Sequence, residues 1–183
     1  MSLVIEILAY GTLILNIGIV SGFFVYLVER FTDFNVVEYL RLQTVEDKLL
    51  SYYREIAAFI ALTATSGSLY MSEILEWTPC RLCWYQRIFM YPLAFIIPTA
   101  IISEKHDVRD YVIPLSLVGM PISLYNYSLE RVEQFESAGC AIHAVSCSTE
   151  HTFHFGYVNV PFMAFTAFLT IFLIMWKFSP EDV

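Results

Sequence analysis

Cys80 and Cys83 stand in the stretch EWTPCRLCWYQRIFMYP, Glu76 to Pro92, with two residues between their thiols. Two thiolates at that spacing can ligate zinc, cycle between dithiol and disulfide, or pack as small apolar groups. A disulfide between them closes almost no loop, so it makes a poor structural staple. Cys140 and Cys147 complete the set of four cysteines, in the stretch AGCAIHAVSCSTEH. Six residues separate them, few enough to close as a disulfide and enough to rearrange. Structural zinc sites usually use two tight knuckles, whereas here one spacing is tight and the other wide. His143, His151 and His154 share the second stretch. They could assist proton transfer near neutral pH, although loop histidines are more often simply solvated. No C-x-x-C-H occurs, so covalent haem attachment is not suggested.

Arg87 follows Cys83 by four residues and Cys80 by seven, so on a helix all three share one face. Thr78 is the expected N-cap and Pro79 suits the first helical position, which puts Cys80 in the first turn. The partial positive charge of a helix N-terminus stabilises a thiolate there. A guanidinium one turn further on stays charged and can donate hydrogen bonds to the carbonyl oxygen of an electron acceptor. The plainer reading is an arginine reaching for lipid headgroups, with Trp84, Tyr85 and Tyr91 as an interfacial aromatic belt.

The elements that must hold these residues are membrane helices. Of 183 residues 57% are hydrophobic and 15% charged, against about 25% charged in a soluble domain. The mean hydropathy is +0.60. Uncharged runs cover Ile7 to Val28, Ile56 to Ser72, Ile88 to Ser103, Tyr111 to Leu129 and Phe155 to Trp176. About 20 apolar residues cross a bilayer as a helix, and the shorter runs can borrow flanking residues. Five spans are therefore expected. The first lacks a basic start and an A-x-A-like site, so it reads as a retained helix and not as a signal peptide. Its Gly18 and Gly22 form a G-x-x-x-G that permits close helix packing, with Gly11 on the same face, although glycines scattered in a lipid-facing helix read equally well.

Seven of the ten lysines and arginines fall on one side of these spans, against Arg81, Arg87 and Arg131 on the other. The positive-inside rule then places the N-terminus and all four cysteines outside and the C-terminus in the cytoplasm. Disulfides persist on that outer face. The net charge of −8 gives no reason to expect a nucleic-acid partner. Between the first two spans, Val45, Leu49, Tyr52 and Ile56 recur at helical spacing, as in an interfacial helix. Leu129, Val132 and Phe135 suggest a short amphipathic turn leading into the cysteine loop.

With the residues laid out, the chain resembles the DsbB/BdbC family of membrane thiol-quinone oxidoreductases. The resemblance rests on PCRLCWYQRIFMYP with its C-x-L-C-x-Y-x-R pattern, on the later pair Cys140 and Cys147, and on FGYVNVPFMAF at the last helix. It covers roughly Ile56 to Trp176. The order of the pairs separates the chain from the related vitamin K epoxide reductases, in which the loop pair comes first.

The resemblance implies an all-α, DsbB-like four-helix transmembrane bundle with one extra N-terminal transmembrane helix. Residues 1–30 would be that helix and 31–55 a cytoplasmic or interfacial amphipathic segment. Residues 56–178 would be the catalytic bundle with its outer loop 130–154, and 179–183 a cytoplasmic tail. The implied activity is reoxidation of a DsbA-like thioredoxin-fold oxidase, with electrons passed to a membrane quinone, ubiquinone or menaquinone. The setting would be a bacterial-type cytoplasmic membrane. Cys140 would be attacked by the partner, Cys147 would pass electrons to Cys80, and Cys83 would face the quinone. Arg87, with Tyr85 and Asn126, would hold the quinone. Asn126 stands where the resemblance leads one to expect a histidine, and Gln86 where some members carry an acid. A membrane zinc-binding protein and a helical scaffold with structural disulfides are the alternatives.

Overall fold

The computed structural model describes residues 3–32, 51–105, 107–131 and 156–178. They form five helices. These are α1 (Leu3–Thr32), α2 (Tyr53–Leu69), α3 (Arg81–Ile102), α4 (Arg109–Arg131) and α5 (Val160–Phe178). α1, α3, α4 and α5 are each long and apolar enough to cross a membrane. α2 has 17 residues and runs on through a π-helical turn of five, Tyr70–Ile74. Together they rise about 33 Å, the thickness of the hydrocarbon core. In lipid the backbone must satisfy its own polar groups, which is why these apolar runs all become helices.

The core of the bundle lies between α2, α3, α4 and α5. Leu93, Ile97, Val112, Phe168, Ile171 and Met175 are fully buried in it. Large apolar side chains such as Phe59, Phe95, Ile102 and Trp176 stay exposed on its outside, the arrangement that lipid favours. α4 meets α5 at Gly119, where a Cβ would collide with the ring of Phe168. Phe168 has no room to retreat, because it is itself wholly buried. Gly119→Ala is therefore expected to destabilise the bundle by about 1–3 kcal/mol through overpacking. Thermal unfolding in detergent checks this, with Gly18→Ala as an unaffected control, since nothing lies within 4 Å of a Cβ at Gly18.

α1 lies against the outside of this bundle. Its Ile5, Ala9 and Thr12 are buried, one face at helical spacing. Thr166 on α5 donates a hydrogen bond to Asn16 at 3.2 Å, and Leu8 packs where Gly67 on α2 leaves space. The glycines take no part in these contacts: a Cβ at Gly11, Gly18 or Gly22 would meet nothing within 4 Å. Among the described residues no helix packs on them.

Two chain reversals set the ends. After the π-helical turn, Glu76 takes φ 54°, a left-handed value rare outside glycine, and the chain continues without helix to Cys80. At the other end, Arg54 donates to the carbonyl of Lys105 at 3.1 Å and Arg109 lies over the ring of Trp176. Lys177 closes α5 at that same end. Arg54, Lys105, Arg109 and Lys177 thus share the end opposite Cys80 and Cys83, while Arg81, Arg87 and Arg131 stand at the thiol end. Of the interfacial segment expected over 31–55, residues 33–50 lie outside the described residues, while Tyr53 already opens α2. The amphipathic turn around Val132 and Phe135 and the tail 179–183 lie outside them as well.

Candidate functional site

α3 begins two residues later than Thr78 and Pro79 suggest. Cys80 is the N-cap, with φ −69° and ψ 168°, and its sulfur accepts the amide of Cys83 at 3.2 Å. The cysteine does what serine or aspartate does at other helix starts. Pro79 sits in the extended approach, outside the helix. This places Cys83 at the third helical position, with its sulfur 2.6 Å from that of Cys80. Both thiols therefore lie at the positive end of the α3 dipole.

Asn126, fully buried on α4, faces the pair. Its Nδ2 lies 3.8 Å from the Cys83 sulfur, placed to donate to it, and its Oδ1 lies 3.9 Å from that of Cys80. One amide thus contacts both sulfurs from the neighbouring helix. Around them α4 is tied to the start of α5. Asn159 donates to Glu130 at 2.6 Å and caps α5 by accepting the amide of Phe162 at 3.0 Å. Arg131 donates to the carbonyl of Gly156 at 2.6 Å.

A cavity of about 370 Å³ opens on the other side of Cys83. It runs between α1, α2, α3 and α5 and is walled mostly by apolar side chains. Its polar groups are few: Cys83, Gln86, Arg87, Glu130 and hydroxyls including Ser68. Arg87 is held by Ser68, donating through Nε to the hydroxyl at 3.0 Å and through Nη2 to the carbonyl at 3.1 Å. Tyr91 donates to the same hydroxyl at 3.4 Å, and the guanidinium lies 5.3 Å from the centre of the Trp84 ring. Among the described residues Nη1 has no hydrogen-bond partner, which leaves one arm for an acceptor in the cavity. Gln86 is 6% exposed, lines the cavity, and its Nε2 has no partner among the described residues. A buried donor without an acceptor costs about 1–3 kcal/mol, so a ligand oxygen here would be welcome.

The structure thus brings Cys80, Cys83 and Asn126 together, and Cys83 and Arg87 into one cavity. Tyr85 is half exposed and is not among the residues lining the cavity, and neither is Asn126. Cys140, Cys147, His143, His151 and His154 lie outside the described residues. Sequence spacing did not single out Ser68, Glu130 or Asn159. Their signal was weak: a serine in an apolar run, a carboxylate closing a helix, and an asparagine cap separated from Pro161 by Val160. Gln86 was visible only as a departure from the family pattern.

A mostly apolar cavity with two or three fixed donors suits a lipid-soluble ring that carries carbonyl oxygens. Residues 53–178 match the family described as "Disulfide bond formation protein DsbB". The chain is 44% identical over 115 residues to a "Probable disulfide formation protein C 1" of Bacillus cereus, covering 63% of this chain and 81% of that one. It is 46% identical over 113 residues to a "Probable disulfide formation protein C" of Halalkalibacterium halodurans, covering 62% and 82%. It is 40% identical over 122 residues to a "Disulfide bond formation protein C" of Bacillus subtilis, covering 67% and 88%. No solved structure matches. α1 precedes the residues that match the family.

Proposed function

The chain belongs to the DsbB family of disulfide bond formation proteins, and from that premise we propose that it reoxidises an extracytoplasmic thioredoxin-fold dithiol oxidase and delivers the electrons to a membrane quinone. The observation that carries this reading is the placement of Cys83 and Arg87 on one membrane-buried cavity, beside the unpartnered amide of Gln86. A quinone, when bound, supplies a two-electron acceptor with two carbonyl oxygens that become hydroxyls.

This chain's residues do the rest. The partner's thiolate attacks the Cys140–Cys147 disulfide at Cys140, and Cys147 leaves as a thiolate. Cys147 attacks Cys80 of the Cys80–Cys83 disulfide, and Cys83 leaves on the cavity side. The partner's second thiolate closes its own disulfide and frees Cys140. Cys140 then re-forms its bond to Cys147, which returns Cys80 to the thiolate state. Each step is thiol–disulfide exchange, favoured by a reactive attacking thiolate and a good leaving group. Cys80 and Cys83 finally re-form their disulfide, giving up two electrons, and two protons go to the acceptor oxygens. The helix dipole and the Asn126 amide stabilise the leaving sulfur of Cys83. Arg87 Nη1 and Gln86 Nε2 orient the acceptor. Glu130 supplies the carboxyl group at the cavity for passing protons. Tyr85 we assign to the membrane boundary. A route of this kind, from DsbA through DsbB to quinone, keeps the bacterial periplasm oxidising.

The excess of lysine and arginine on the side away from the thiols, seven against three, supports an extracytoplasmic position for them. The test mixes the purified protein with a reduced thioredoxin-fold oxidase and a soluble quinone analogue, and follows quinone absorbance. Quinone loss matched to oxidation of the partner's dithiol is expected. Oxidation of the partner without quinone loss would overturn the assignment of the acceptor.

A further inference from the structure

We propose that α1 frames a lateral doorway to the cavity, and that the isoprenoid tail of the quinone lies in this doorway between α1 and α2. The inference rests on the quinone reading above and concerns a helix that precedes the family-matched residues 53–178.

Along α2 the cavity runs from Ser68, beside Arg87, to Ile56. Twelve helical residues span about 18 Å, far more than a quinone ring needs. The ring end is fixed by Cys83, Gln86 and Arg87. The remainder is lined by apolar groups such as Ile60, Ala64, Ala167 and Phe168, which suit a hydrocarbon chain. α1 contributes Leu8, Gly11, Thr12 and Leu15 to the same wall. Thr12 spends its hydroxyl on the carbonyl of Leu8 at 2.8 Å, so the wall that it helps to form is apolar in character.

Four of the lining residues also reach the outer surface: Thr78 ahead of α3, and Thr63, Phe59 and Gly11 along α2 and α1. Phe59 on α2 is 70% exposed, and Gly11 on α1 is exposed with nothing within 4 Å of the place of a Cβ. A residue that lines a cavity and also faces the outside marks its rim. A lateral opening therefore lies between Gly11 on α1 and Phe59 and Thr63 on α2, within the apolar length of both helices, where it faces lipid. α1 is fastened on either side of Gly11, by Leu8 against Gly67 and by Asn16 to Thr166. Glycine at position 11 leaves the space between these fastenings empty. A lipid-soluble acceptor could enter sideways there with its tail remaining in the rim.

The test uses the full chain and one quinone ring, benzoquinone or naphthoquinone, supplied with and without an isoprenoid tail. Gly11→Phe should plug the doorway without a clash, because the space is open. Relative to the bare ring, the tailed quinone should bind about tenfold or more weakly, titrated by quenching of tryptophan fluorescence with Trp77 on the cavity wall. The ratio of kcat/KM for the tailed quinone to that for the bare ring should fall alike. Turnover of the bare ring reports that the variant is folded and that its thiols work. Gly18→Phe, on the same glycine face but off the cavity, should leave the ratio as in the wild type. Gly11→Leu is the smaller plug to use if Gly11→Phe does not fold. An unchanged ratio in the Gly11 variants, or an equal loss for both quinones, overturns the doorway while leaving the proposed function standing. A wild type that reduces neither quinone overturns the function itself.

Discussion

Cys83→Ser is expected to lower quinone reduction by about 10³-fold or more, to the background rate. Cys83 is the sulfur that lines the cavity, whereas Cys80 is buried behind it and caps α3. A serine oxygen can neither close the disulfide nor release electrons, so the final step has no substitute route. The helix should survive, because the amide at position 83 keeps the Cys80 sulfur as its acceptor. Circular dichroism and detergent gel filtration should therefore match the wild type while quinone absorbance stays flat in the presence of a reduced partner. Retained quinone reduction by a folded Cys83→Ser protein would remove this pair from the centre of the chemistry.

Arg87→Ala should act differently, by weakening the acceptor's hold more than the thiol exchange. A charge-assisted hydrogen bond contributes about 1.5–3 kcal/mol, so KM for the quinone should rise by about tenfold to 100-fold. The arm available for this bond is Nη1, since Ser68 takes both other contacts. Arg87→Lys should not restore affinity, because an ammonium cannot hold Ser68 twice and reach the cavity in the same fork geometry. Single-turnover oxidation of a reduced partner by the preformed disulfides should proceed at the wild-type rate in both variants. An unchanged quinone KM in Arg87→Ala would make this arginine a fastening between α2 and α3 and nothing more.

Most of the bundle could be read from the chain because lipid makes a simple demand: uncharged runs of sufficient length become helices. The run from Tyr111 to Leu129 falls within α4, whereas α5 opens only at Val160, five residues into the run that ends at Trp176. Helix starts were harder. Thr78-Pro79 is an ordinary opening by local preference, but the sulfur of Cys80 reaches the Cys83 amide and moves the start to Arg81. The relation of Cys80, Cys83 and Arg87 was legible because one helix carries all three. Asn126, Ser68, Gln86 and Glu130 acquire their meaning only from packing between helices, which no spacing within one segment encodes. The same holds for α1. Its glycines suited a close helix contact or a lipid-facing surface equally well, and the face that it buries is the one carrying Ile5, Ala9 and Thr12.

The sulfur cap has a further effect within the proposed relay. Whenever Cys80 swings away to bond Cys147, the first turn of α3 gives up its acceptor, and lost caps typically cost about 1 kcal/mol. Each turnover would then cock a small spring at the start of the helix, and the recoil favours the return stroke that brings Cys80 back beside Cys83.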